Sequence, residues 1–129
     1  MKILVIDDAG GGMFAGSAAK NMRDLGLDAK AMMPFRQEMI ELLDETGWRN
    51  SRPLTDEEVF DLVREADNIF LDHNMPCWTG EELLIRWRTT IDFANKRVVG
   101  ISGSGQPYVK EQFDGLGYVA GIKSFFGLS

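Results

Sequence analysis

The run Ile3-Leu4-Val5-Ile6, followed at once by Asp7-Asp8, constrains the fold more than any other stretch of the chain. Four consecutive apolar residues without polar alternation predict a strand buried on both faces, which belongs in a parallel sheet covered by helices. Two adjacent carboxylates at its end then require a polar crevice. The same pattern returns in NIFLD over 68–72, in RVVGIS over 97–102, and in residues 118–122, which run into Lys123. DAKAMM over 28–33 is a weaker second strand.

Helical spacing fills the gaps between these strands. Phe14, Ala18, Met22 and Leu25 predict one helix, closed by Gly26. Thr55-Asp56-Glu57-Glu58 is a capping box, and Val59, Leu62, Val63 and Ala66 then face one way. Leu83, Leu84 and Trp87 predict an inward face for a helix after Gly80, and Pro107 opens a short helix at a permitted position. Within 34–54, the spacing of Phe35, Met39, Leu42 and Leu43 predicts a short amphipathic helix, followed by TGWRNSRP as loop. Five strands alternating with helices predict a single α/β domain over 1–129, a doubly wound parallel sheet with ligands at the carboxyl ends of its strands.

Those ends carry Asp7, Asp8, Asp72, Ser102 and Lys123. Three carboxylates in one crevice repel one another, and a hard divalent cation relieves the conflict; Mg2+ suits one or two carboxylates, retained waters and a phosphoryl oxygen. A phosphoryl group is then the expected substrate fragment, with Lys123 as a positive charge, the Ser102 hydroxyl as a donor and an aspartate as nucleophile. Gly10-Gly11-Gly12-Met13-Phe14-Ala15 also fits the G-x-G-x-x-A form of a dinucleotide-binding turn. That reading fails because two aspartates intervene after the strand, the second strand ends in Ala31-Met32-Met33-Pro34 without an acid, and no G-K-[ST] follows. The glycines are expected to bend a loop past the acidic pocket.

Composition narrows the classes further. The chain has 129 residues, 44% of them hydrophobic, enough for one core. A net charge of -6 argues against nucleic acid and anionic membrane surfaces as partners. One cysteine, Cys77, excludes an internal disulfide, and one histidine, His73, removes most histidine-based chemistry. His73 reads as a solvent-facing neighbour, Cys77 as a free thiol, Trp78 as a residue near the crevice and Trp87 as core. Met13, Met22, Met32, Met33 and Met39 read as core filler. No run reaches membrane-spanning length, and a cytoplasmic location is expected.

ILVIDD, IFLDHNMP, VVGIS and the strand ending at Lys123 together resemble the receiver domain of bacterial response regulators, the CheY-like family. The likeness covers nearly the whole chain: Asp72, Met75-Pro76, Gly80 and Leu83-Leu84 stand as in the family, and the spacings from Asp72 to Ser102 and from Ser102 to Lys123 are close to the family's. It implies a flavodoxin-like five-stranded sheet of order 2-1-3-4-5. By the same resemblance Asp72 is the phosphoacceptor, Asp8 a direct Mg2+ ligand, Asp7 a ligand mainly through water, and the Asn74 backbone carbonyl a third protein ligand. Ser102 is then the switch hydroxyl and Lys123 pairs with the phosphoryl group. The implied function is a single-domain response regulator of a two-component phosphorelay, taking its phosphoryl group from a histidine kinase or phosphotransfer protein and passing the signal to an output protein. It is expected to be no enzyme beyond its own phosphorylation and dephosphorylation.

The chain departs from that family in several places. It carries extra residues between Asp8 and Asp72, assigned to 34–54. Ser124 replaces the proline that usually follows the lysine, and a cis Lys-Ser bond would cost about 3 kcal/mol. Ala120 stands at the aromatic switch position, with Tyr118 two residues earlier. Ser124 to Ser129 are too few for the family's last helix, so a truncated C-terminus and a homodimer or bound partner are expected. Two other functions stay open: a phosphorylation-independent protein-binding scaffold using 34–54, and a small aspartate-nucleophile phosphohydrolase.

Overall fold

The structure is a computed structural model, and it describes residues 2–8, 10–36, 39–44, 47–72, 75, 78–93, 96–102 and 119–122. Its elements are β1 (Lys2–Ile6), α1 (Met13–Asp24), β2 (Asp28–Arg36), β3 (Met39–Asp44), β4 (Gly47–Leu54), α2 (Asp56–Glu65), β5 (Asn68–Asp72), α3 (Gly80–Arg88), β6 (Arg97–Ser102) and β7 (Val119–Ile122). The helix expected at Pro107, along with His73, Asn74, Cys77 and Lys123, lies outside the described residues.

One sheet runs in the order β4-β3-β2-β1-β5-β6-β7. The five strands from β2 to β7 are parallel, with β1 between β2 and β5, and this is the flavodoxin-like order once the inserted pair is set aside. Because β1 is central, its side chains alternate between two buried layers. Leu4 and Ile6 join Ile69, Leu71, Val59, Val63, Leu83, Leu84 and Trp87 beneath α2 and α3. Ile3 and Val5 join Ala29, Ala31, Met33 and Leu43 beneath α1, where Ala15, Ala18 and Ala19 let the helix come close to the sheet. The buried face of α1 is thus rotated from the expected one. Leu25 is 81% exposed beyond the helix end and Met13 is 53% exposed at its start, so neither is core.

The segment 34–54 is not helical. β2 continues to Arg36, and β3 and β4 follow as antiparallel strands that extend the sheet outward. The apolar residues of β3 fit a helical period only because both faces of the strand are covered: Leu43 packs on the α1 side and Ile40 on the α2 side. β3 pairs with the outer edge of β2 and moves the solvent-facing edge of the sheet to β4. The polar, proline-bearing TGWRNSRP run suits an outermost strand, where Arg49, Asn50, Arg52 and Pro53 are exposed. Pro34 is tolerated inside β2 because the paired part of β1 ends opposite Met32, so the donor that proline lacks has no acceptor to meet.

The connections are fixed at their ends. Thr55 and Glu58 form the expected capping box, each side chain accepting the other's backbone N–H at 3.1 Å. Thr79 and Glu82 form a second one at the start of α3. Lys96 closes α2 from the other side, its Nζ donating to the carbonyls of Arg64 and Ala66. No described helix is long and apolar enough to cross a membrane.

The carboxyl of Glu58 is held below its ordinary value of 4.5, first by the hydrogen bond from the Thr55 backbone N–H and next by the Arg52 side chain, 3.0 Å away. A carboxylate whose folded value is depressed stabilises the fold above its unfolded value, and that stabilisation is lost as pH falls from about 4.5 through the lower folded value. Glu58→Gln is therefore expected to flatten the acid limb of stability in that window, as read from urea midpoints measured across pH.

Candidate metal centre

β1 and β5 lie side by side with Ile6 opposite Leu71, so the residues that leave each strand emerge together. Asp7 follows β1 and is wholly buried, Asp8 is half-buried, and Asp72 at the end of β5 is 6% exposed. One carboxylate oxygen from each of the three lies within 4.8 Å of the others. Oxygen ligands at about 2.1–2.5 Å from a divalent cation sit within about 4–5 Å of one another, so this spacing fits a hard cation such as Mg2+ or Ca2+. Without one, three carboxylates this close repel one another in a partly desolvated site.

The backbone around Asp8 is shaped by the glycines. The Asp8 carbonyl accepts from Gly11 N at 3.0 Å and Gly12 N at 3.2 Å. Gly10, Gly11 and Gly12 all have positive φ, and Gly12 leads into α1 without a side-chain cap. This is a loop past an acidic pocket, as expected, and the left-handed backbone there explains why three glycines stand in a row. Asp7 N donates to Met32 O at 3.4 Å, which ties the first acid to β2.

Ser102 ends β6, one residue beyond Ile101, which pairs with Asp72; its backbone therefore lies at the same sheet edge. Ile122 of β7 pairs with Ser102 in turn, and Lys123 follows it outside the described residues. The structure thus brings together Asp7, Asp8 and Asp72 as side chains and places Ser102 beside them by register.

A second feature, not read from the sequence, lies where the inserted hairpin meets the helices. Ile40 and Leu54, with Val59 and Phe60 of α2 and Trp78 and Arg86 around α3, line a shallow open groove. The Arg86 guanidinium sits 5.3 Å from the centre of the Trp78 ring, a cation–π pair on the groove wall. A short helix followed by a loop over 34–54 predicts no such groove, since Ile40 and Leu54 reach it as residues of paired strands.

No protein-family model matches the sequence, and no curated protein matches it either. Solved structures do. The Vibrio cholerae chemotaxis protein CheY4 is similar with a TM-score of 0.62 at 16% identity, over 92% of this chain and 82% of that one. The receiver domain of Francisella response regulator 1452 gives 0.58 at 21% identity, over 95% and 84%. A Burkholderia pseudomallei response regulator, described with a phosphorylated aspartic acid, a calcium ion and citrate, gives 0.59 at 17% identity, over 98% and 65%. The chain shares the fold of response-regulator receiver domains.

Removing one of the three charges relieves repulsion in the cation-free protein. Asp8→Asn is expected to raise thermal stability without divalent cations by about 1–3 kcal/mol, the range between bulk water and a half-buried site at such a spacing. Mg2+ is expected to stabilise the parent and not Asp8→Asn. Thermal melts of both proteins with Mg2+ and with a chelator check the two effects.

Proposed function

We propose that this chain is a phosphoacceptor of two-component signalling, receiving a phosphoryl group on Asp72 from the phosphohistidine of a histidine kinase or phosphotransfer protein. The observation that carries this reading is the meeting of three carboxylates, from two adjacent strand ends, at the carboxyl edge of a receiver-like sheet. Similar structures support it, one of them described with a phosphorylated aspartic acid and a calcium ion.

Asp7, Asp8 and Asp72 would hold a Mg2+ ion, with the Asn74 backbone carbonyl as the further ligand that the family resemblance implies. When bound, the cation offsets the negative charge of the incoming phosphoryl group. A carboxylate oxygen of Asp72 attacks phosphorus, the phosphorus–nitrogen bond breaks, and its electron pair returns to the imidazole, which takes a proton from solvent. The product is an aspartyl phosphate. The Ser102 hydroxyl donates to a phosphoryl oxygen and the Lys123 ammonium pairs with another. In this reading the chain turns over no separate substrate, its partners are proteins and not nucleic acid, and it works in the cytoplasm, where its donors present their phosphohistidines.

A second reading is favoured by the groove that the inserted hairpin builds with α2 and α3: a receiver-like scaffold that binds a protein partner without phosphorylation. One experiment separates the two. Intact mass after incubation with Mg2+ and acetyl phosphate is expected to show one added phosphoryl group on the parent and none on Asp72→Asn. An unmodified parent that still binds Mg2+ would favour the scaffold.

A further inference from the structure

We infer that the inserted hairpin tunes the acidic pocket, with Leu43 of β3 as a positioning residue that acts on Asp8 through the glycine turn; this rests on the reading of the pocket as a divalent-cation site. Gly12 is buried at a φ of 90°, and a β-carbon built on it would lie 2.8 and 2.9 Å from the two Leu43 methyl carbons and 3.0 Å from the Met33 sulfur. Leu43 is 6% exposed and Met33 3% exposed, so strand residues of the insertion and its neighbour press directly on the turn.

What the pressure fixes follows from the hydrogen bonds. Gly11 N and Gly12 N both donate to the Asp8 carbonyl, so the turn pinned beneath Leu43 also holds the main chain of the half-buried acid. Gly12 O in turn accepts Gly16 N at 2.9 Å, which locks the turn to the first coil of α1. Three glycines in sequence have more backbone freedom to lose than any other tripeptide, and nothing in their own side chains can hold them. Packing from outside must do it. β3 and α1 are in contact, and Leu43 is the buried β3 residue of the apolar cluster that contains Ala15, Ala18 and Ala19. The hairpin therefore supplies the order that lets Asp8 meet a cation already oriented, and binding then avoids the entropy of arranging the loop.

The test is calorimetric titration with Mg2+ alone. Leu43→Ala is expected to weaken Mg2+ binding about tenfold, the lower end of what losing a supporting contact costs a metal site. Leu43→Ile, which keeps the volume, is expected to restore the parent affinity. Ile3→Ala removes a buried residue from the same apolar cluster at the opposite end of β1, and is expected to lower the melting temperature while leaving the affinity unchanged. Gly12→Ala, crowded by Leu43 and strained by its φ, is expected to weaken binding as Leu43→Ala does. If Leu43→Ala is too unstable to titrate, Leu43→Val and Gly12→Ala carry the comparison. Parent-like affinity in the folded Leu43 and Gly12 variants, alongside loss of binding in Asp8→Asn, would overturn the positioning role and leave the cation site standing. A parent that binds no Mg2+ would overturn both.

Discussion

The register between β1 and β5 decides what the carboxyl edge of this protein can do. Parallel pairing of Ile6 with Leu71 delivers Asp7, Asp8 and Asp72 to one place, and a slip of one residue would send one strand's buried side chains to the wrong layer. The apolar alternation of β1 between the α1 and the α2–α3 layers therefore guards the site: the core cannot pack correctly unless the acids also meet. Repulsion among the carboxylates is the cost of that arrangement, and it is tolerated because the strands beneath them are among the most deeply buried parts of the chain.

Much of this was legible beforehand. β1, β5 and β6 announce themselves as apolar runs ending in polar residues, α2 carries its capping box in plain sequence, and the inward faces of α2 and α3 follow a helical period. Asp7, Asp8 and Asp72 could be brought to one edge because a parallel sheet leaves them nowhere else to go. The insertion was not legible. MIELLD satisfies a helix and a strand buried on both faces equally well, and its pairing with β2 and β4 is a long-range outcome that local periodicity does not carry. The face of α1 is hidden for a related reason: its packing surface is a set of alanines and a glycine, which carry a weak apolar signal compared with Phe14, Met22 and Leu25. The glycine row is legible as a loop, yet the side chain that packs against Gly12 belongs to a strand thirty-one positions further on, beyond the reach of local pattern.

The inserted hairpin accordingly does more than lengthen the sheet. Its inner strand closes the edge of β2, presses on the turn beside the acids with one face, and with the other helps form a groove against α2 and α3. A connection between the second and third parallel strands has become a structural wall shared by both layers.

Placing β4 outermost also changes what a neighbouring molecule meets. Pro53 leaves a gap in the row of backbone donors, so an extended chain arriving alongside finds an interrupted ladder. The protein's flank is therefore guarded against fibrous growth by the very segment that departs most from the five-stranded plan.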